Sequence, residues 1–326
     1  MEISKRGTIV ILATGGTIAG IGKKGKTIGY ESGQLTADEI LEHIPEISSL
    51  APIVTVQVCN INSDDITYDI WFKLVSLINE LSLNPLVSGF VILHGTDTME
   101  ETAYFLNLTI KTEKPVVLTG SMRPSTAISA DSSLNIYEAV LVASSQESVG
   151  KGVLIAFSDQ VFAARSMTKA STYSVKAISG GETGSIGIIR DDEVFYYGKN
   201  LKRHTLCTEF DVANCKDLPN VPIIYFATGQ DPRILEYAIS TADGLVIAGA
   251  GAGEYSKEFL KIIDKATIPI VISSRINDGV ITQSGMMSKN TIAANNLQPQ
   301  KAAILLKLAL TRTKVHSELV RIFSMY

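Results

Sequence analysis

The sequence is poor in several things at once. Its 326 residues include three cysteines, four histidines and one tryptophan. The cysteines, Cys59, Cys207 and Cys215, are too few and too scattered for a disulfide framework, and with dispersed histidines they form no metal-ligand set. Reduced structural thiols and no metal are expected. An excess of positive charge is also missing: 29 basic against 33 acidic residues leave a net charge of −4, with no basic run to neutralise phosphates. Nucleic acid is therefore not an expected partner. No apolar run is long enough to cross a bilayer, and the longest, around residues 302–310, is interrupted by Lys307. A membrane is not expected as a partner either. The opening Met1-Glu2-Ile3-Ser4-Lys5-Arg6-Gly7 lacks the apolar stretch and cleavage site of a secretory signal. The expected compartment is the cytoplasm, although a periplasmic chain with its signal removed would read the same.

What is present is alternation. Apolar runs of strand length fall at residues 8–13, 54–58, 90–93, 116–118 and 153–157, with a later set at 223–226, 244–248 and 268–272. Their continuous apolarity suits strands covered on both faces of a largely parallel sheet. Between them lie helical patterns. Met99, Ala103, Leu106 and Ile110 share one face, and Thr98 with Glu101 has the form of a capping box. A last helix is expected from Pro299 through Leu310, apolar around most of its circumference and hence buried in the core or at a subunit contact. Residues 198–220 are mixed and polar, and carry Pro219. The predicted organisation is two α/β domains: a larger N-terminal catalytic one over residues 1–197, a linker at 198–220, and a smaller C-terminal one over 221–326.

Three stretches carry chemistry. The first strand ends in Thr14-Gly15-Gly16-Thr17-Ile18-Ala19-Gly20. Paired glycines allow a sharp turn with exposed amides, and Thr17 offers a hydroxyl beside them; a tight turn with a capping threonine would use the same residues. The glycine-rich stretch that follows, from Gly20 to Gly33, is too polar to pack and reads as disorder or as a lid. Its aromatic, Tyr30, suits a catalytic role or a surface anchor equally. His94-Gly95-Thr96-Asp97-Thr98 follows another strand; Thr98 accounts for the helix cap, which leaves Thr96 and Asp97 free for a polar site. Lys169 alone reads as a solvated lysine, and only beside buried hydroxyls would it act as a base.

Together these blocks resemble the bacterial-type (type I/II) L-asparaginases, closest in motifs to the type II enzymes, over almost the whole chain. Thr14-Gly15-Gly16-Thr17-Ile18-Ala19-Gly20 is similar to the first family signature and His94-Gly95-Thr96-Asp97-Thr98-Met99-Glu100-Glu101-Thr102-Ala103 to the second. Gly120-Ser121-Met122-Arg123-Pro124-Ser125-Thr126 with Asp131 and Asn135, and Asn60-Ile61-Asn62-Ser63-Asp64, supply two further blocks. The resemblance implies a flavodoxin-like C-terminal domain and hydrolysis of L-asparagine to L-aspartate and ammonia through an acyl-threonine, with glutamine as a minor substrate. It implies Thr17 as nucleophile, Tyr30 hydrogen-bonded to it, and Thr96, Asp97 and Lys169 as the second catalytic set. Ser63 would hold the α-carboxylate, and Asp64 with Asp97 the α-ammonium. Gly16 and the Thr96–Asp97 amides, with Ser121 nearby, would line the oxyanion region. A homotetramer with sites at subunit interfaces is implied as well, without any cofactor.

Two places depart from the family. Glu254 stands where relatives usually have asparagine or serine, and Ser284-Gly285-Met286-Met287 occupies the segment where many relatives place a glutamate that reaches a neighbouring site. Glu254 is therefore either a replacement for that charge or a solvated loop tip. Other readings are weaker. Gly249-Ala250-Gly251-Ala252-Gly253 suggests a dinucleotide loop, but Glu254 replaces its last glycine and no phosphate-loop lysine motif exists. A non-catalytic amino-acid binder would not need two threonines and a lysine. Related amidases, the glutaminase-asparaginases and the glutamyl-tRNA amidotransferase subunit, share the motifs; the latter normally carries an extra N-terminal region.

Overall fold

The computed structural model describes residues 7–27, 29 and 31–326. The chain divides into two compact units, Met1–Asn214 and Cys215–Tyr326. In the first, β1 (Thr8–Gly15) lies between β2 (Ile53–Ile61) and β3 (Val87–Leu93), with β4 (Val116–Thr119) and β5 (Val153–Phe157) beyond β3, all parallel. The order 2-1-3-4-5 places a topological switch point between β1 and β3, because the chain leaves β1 towards one edge and later returns on its other side. Loops at the carboxyl ends of the two strands diverge there and leave a crevice, the usual ligand site of an open α/β sheet. Both faces of these strands are covered: Ile9, Ile11, Val91, Leu93, Val117 and Leu154 are buried on one, and Val10, Leu12, Phe90, Ile92, Leu118 and Ile155 on the other.

The continuous strands of this unit form as their apolarity dictates, with one exception. β2 is the sheet's edge, and Val54 on it is 51% exposed. Its apolar run serves one covered face only. Beyond β5 the sheet turns antiparallel through β6 (Gln160–Ala163), β9 (Gly187–Arg190) and β10 (Glu193–Tyr196), while β7 (Thr168–Lys169) and β8 (Ile178–Ser179) form a separate two-stranded ribbon. A two-residue turn joins β5 to β6 with Ser158 at φ 50 and Asp159 at φ 63.

The helices of this unit are α1 (Ala37–Leu41), α2 (Tyr68–Ser82), α3 (Met99–Thr109) and α4 (Ser132–Ser144). α1 carries a capping box, with Thr36 and Glu39 bonded reciprocally. The box expected at α3 does not form: Thr98 holds the cap position, but its hydroxyl donates to the Ser63 carbonyl at 2.6 Å. Nor is α3 one-sided. It is buried almost all round, Tyr104 and Phe105 included, with the Trp71 ring of α2 stacked 4.6 Å from Phe105. Residues 199–214 belong to this unit, and Lys111, just after α3, donates to the Thr208 hydroxyl at 2.7 Å.

The second unit is a parallel sheet in the order β11 (Ile223–Tyr225), β12 (Leu245–Gly249), β13 (Ile270–Ser274) and β14 (Thr291–Ala293). Its helices are α5 (Arg233–Thr241), α6 (Lys257–Ile263), α7 (Pro299–Leu310) and α8 (His316–Met325). α7 begins at its proline as the sequence indicates, and its apolar circumference, from Ala302 to Leu310, is buried within the chain itself. The last helix is α8, not α7.

Candidate active site

Three loops converge at the switch point. After β1 the chain passes through Gly15 at φ 106 and Gly16 at φ 82, both outside the range open to other residues, before the 3₁₀ turn Thr17–Ala19. A Cβ on Gly16 would lie 2.4 Å from the Gly95 Cα, and one on Gly95 would lie 2.8 Å from the Ser63 Oγ. The loops after β1, β2 and β3 therefore meet through glycines, which sets Thr17, Ser63 and Thr96 around one point. Thr14 fastens the two central strands by donating to the Leu93 carbonyl at 2.9 Å.

Thr96 is buried, and its hydroxyl accepts a hydrogen bond from Lys169 Nζ at 2.9 Å. The same ammonium lies 2.5 Å from Asp97 Oδ1, with the lysine side chain 16% and the aspartate side chain 68% exposed. The β7–β8 ribbon supplies the support: Lys169 pairs with Ile178, beside the buried Met167 and Thr168. Charge on Lys169 is thus balanced on the solvent side by Asp97, while a hydroxyl sits on its inner side. Thr96 Oγ1 also stands 3.5 Å from Met122 Sδ.

The loop after β4 closes another side. A Cβ on Gly120 would meet the His94 carbonyl oxygen at 2.4 Å. Ser121 is fully buried, and its hydroxyl donates to the Arg123 carbonyl at 2.9 Å. Asp131 accepts from the Met122 and Arg123 amides at 2.9 and 3.0 Å, and Asn135 donates to the Gly120 carbonyl at 2.9 Å. These two residues of the α4 N-terminus brace the loop, a role that their place in a family block did not specify. Farther along, the Ser125 hydroxyl donates to the Gly20 carbonyl at 3.1 Å, the Gly22 amide to the Thr126 hydroxyl at 3.0 Å and the Gly25 amide to the Thr126 carbonyl at 2.9 Å. The glycine-rich stretch is therefore tethered at its start.

Behind Thr96 lies a buried polar line. His94 is completely buried; its Nδ1 is 2.7 Å from the Gly95 carbonyl oxygen and its Nε2 2.9 Å from Thr102 Oγ1, which accepts from Trp71 Nε1 at 2.8 Å. Burial pushes the imidazole down to about 4, against the smaller opposing effect of the Gly95 carbonyl, so the ring is neutral at physiological pH. The sequence contains Trp71, Thr102 and Met122 with nothing to single them out, because each contributes through tertiary contact.

Of the expected site residues, Gly16, Thr17, Ser63, Thr96, Asp97, Ser121 and Lys169 are assembled in the first unit. Gly16 needs one correction. Its amide donates to the Ile61 carbonyl at 2.8 Å, so it is not available to a substrate oxygen. By contrast, the Thr96 and Asp97 amides find no acceptor among the described residues. Asp64 is exposed in the short turn Ser63–Asp65. Tyr30 lies outside the described residues. Glu254 belongs to the second unit, exposed at a tight turn closed by its backbone bridge to Ala250. Among the described residues no cluster of histidine, cysteine, aspartate or glutamate could hold a metal ion.

A parallel α/β sheet with hydroxyls and a lysine at its switch point is the architecture of a small-molecule enzyme, and comparison with known proteins says which. Residues 8–202 match the family described as "Asparaginase, N-terminal", and residues 220–323 match "Glutaminase/Asparaginase C-terminal domain". The chain is 42% identical to the "Probable L-asparaginase periplasmic" of Haemophilus influenzae, over 94% of this chain and 89% of that one. It is 41% identical to "L-asparaginase 2" of Bacillus subtilis, over 98% of this chain and 86% of that one. The crystal structure of "Probable Cytoplasmic L-asparaginase from Campylobacter jejuni" superposes with a TM-score of 0.94 at 40% identity, covering 98% of this chain and 100% of that one. The enzyme is an amidohydrolase. The chain belongs to the asparaginase family.

Proposed function

We propose that the protein hydrolyses L-asparagine to L-aspartate and ammonia through an acyl-threonine, with glutamine as a minor substrate. The observation that carries this reading is the hold of Lys169 on the Thr96 hydroxyl, beside the Gly16–Gly95 contact that brings the Thr17 loop to the same crevice. In the first half-reaction the Thr17 hydroxyl oxygen bonds to the side-chain amide carbon, and its proton passes to the leaving nitrogen. The C–N bond breaks, ammonia departs and an ester on Thr17 remains. In the second half-reaction a water, activated by the Thr96–Lys169–Asp97 set, adds to the ester carbon; aspartate leaves and the Thr17 hydroxyl is restored. A threonine hydroxyl is a weak nucleophile at neutral pH and requires such a base and a fixed oxyanion donor. The unengaged amides of Thr96 and Asp97 suit the donor role; the Ser121 hydroxyl is spent on the Arg123 carbonyl and serves the loop after β4 instead.

Recognition of the rest of the substrate falls to Ser63 for the α-carboxylate and to Asp64 and Asp97 for the α-ammonium. Glu254 supplies a further carboxylate from a neighbouring subunit, in an assembly of four identical chains. The burial of α7 inside its own unit removes one argument for that assembly. What supports it is exposed apolar surface beside the Glu254 turn, where Ile276 and Val280 are each 54% exposed. The names of the relatives divide between periplasm and cytoplasm; three cysteines that form no disulfide favour the cytoplasm here. The decisive experiment is ammonia release measured separately on asparagine and glutamine, with Thr17→Ala as control. Release from neither substrate by the parent protein would refute the reading.

A further inference from the structure

We propose that His94 is a positioning residue: with Thr102 and Trp71 it forms a buried hydrogen-bonded line that fixes the Gly95–Thr96 peptide and so aims the Thr96 N–H at the oxygen of the substrate amide. The inference rests on the hydrolytic reading above and deepens it.

The direction of the line follows from donor and acceptor chemistry. An indole nitrogen only donates, so the 2.8 Å contact from Trp71 to Thr102 runs from indole to hydroxyl. At the far end a carbonyl only accepts, so the 2.7 Å contact to Gly95 requires a proton on His94 Nδ1. With the ring neutral, Nε2 then carries a lone pair and receives the Thr102 hydroxyl proton across 2.9 Å. Both ends demand the same tautomer. Nothing in the line can reverse without setting two lone pairs or two protons against each other.

The purpose of the line lies in Gly95. This position must be glycine, since any Cβ would strike Ser63 and Gly16. Glycine, however, leaves its own torsions unrestrained, and the peptide after it can turn about the chain at little cost. The peptide is planar and trans, so its C=O and N–H point in opposite directions. Holding the Gly95 carbonyl inward on His94 therefore holds the Thr96 N–H outward, and that amide has no acceptor among the described residues. His94 itself is locked from behind, its amide donating to the Thr119 carbonyl at 2.9 Å.

The test uses Thr102, whose hydrogen bonds among the described residues reach His94, Trp71 and the Thr98 carbonyl and no other site group. Thr102→Val keeps the shape and removes the proton that reaches His94; Thr102→Ser restores it. Thr102→Val is expected to lower kcat about tenfold or more with KM within about twofold, as for a mispositioned oxyanion donor. Thr102→Ser should return kcat to near the parent. In the parent protein, nitrogen NMR of the His94 ring should show a protonated Nδ1 and a bare Nε2 at neutral pH. A charged ring or the opposite tautomer overturns the proposal, as does a Thr102→Val enzyme that loses thermal stability while kcat stays unchanged. If the parent releases no ammonia, the hydrolytic reading fails, and the tautomer measurement still decides the line.

Discussion

Gly16 and Gly95 touch backbone to backbone, so closely that a methyl on Gly16 would lie 2.4 Å from the Gly95 Cα. The nucleophile loop and the loop of the second threonine are thereby spaced by main chain alone. Gly16→Ala adds a clash and places a side chain at φ 82, ψ −170, a conformation nearly restricted to glycine that costs about 1–3 kcal/mol. We expect kcat/KM to fall roughly 100-fold, because reacting groups displaced by about 1 Å lose that much. Steady-state kinetics beside a melting curve checks it; an active, less stable variant would show that the spacing tolerates the change.

Thr17→Ala should abolish turnover, by roughly 10³-fold or more in kcat, with the fold intact. Lys169→Met should lose activity as well, since the Thr96 hydroxyl would keep its place and lose its base. Circular dichroism unchanged with ammonia release gone is the expected pair of results. Full activity in the lysine variant would reduce Lys169 to a partner of Asp97.

Two buried groups make stability depend on pH in opposite senses. His94 is held down to about 4 from an ordinary 6.5, so below 6.5 the unfolded chain gains a proton that the folded one refuses. Its contribution is complete above 6.5 and is lost as pH falls towards 4, by up to roughly 3 kcal/mol. Glu138 is raised by burial to about 7 from 4.5, so its cost appears as pH climbs through that window. The charges facing it are Asp159, which adds to the rise, and Arg190, which opposes it; the Asp159 amide donates to it at 3.2 Å. Glu138→Gln keeps that acceptor and removes the charge. Calorimetry should show the variant melting several degrees above the parent at pH 8, for roughly 2 kcal/mol, and level with it at pH 4. Equal melting points at both values would mean that Glu138 is solvated.

Glu254→Gln should raise KM for asparagine about tenfold, since a charged hydrogen bond contributes roughly 1.5–3 kcal/mol. Chemistry at Thr17 should leave kcat less affected. Kinetics identical to the parent would return Glu254 to the solvent, as its exposed turn in the isolated chain also allows. Light scattering at working concentration decides whether four chains associate; a fully active monomer would exclude a shared site.

The continuous apolar strands β1, β3, β4 and β5 were legible because burial on both faces leaves no room for polar residues. The antiparallel strands were not. They are short, and their first turn uses Ser158-Asp159 at positive φ, where sequence preference would call for Asn-Gly. Thr17 and Thr96 could be found from their places at strand ends. Lys169 could not be told from a surface lysine without the family, since the ribbon that aims it is two residues wide. Thr98 misled: it sits at the cap position, but tertiary structure spends its hydroxyl on Ser63. Such contacts between loops far apart in sequence leave no periodic trace.

The eight-stranded sheet joins two kinds of wiring, and the difference bears on the order of folding. Strands β5 and β6, and likewise β9 and β10, are joined by tight turns and can pair soon after each segment collapses. Strands β1 to β4 need long crossovers, and β1 cannot be flanked on both sides until β3 has arrived from beyond β2. Every group at the crevice sits on loops of that slower half or leans on them, Lys169 included. Recovery of turnover after dilution from denaturant should then lag behind recovery of strand signal, so that the enzyme's own activity times the closing of its sheet.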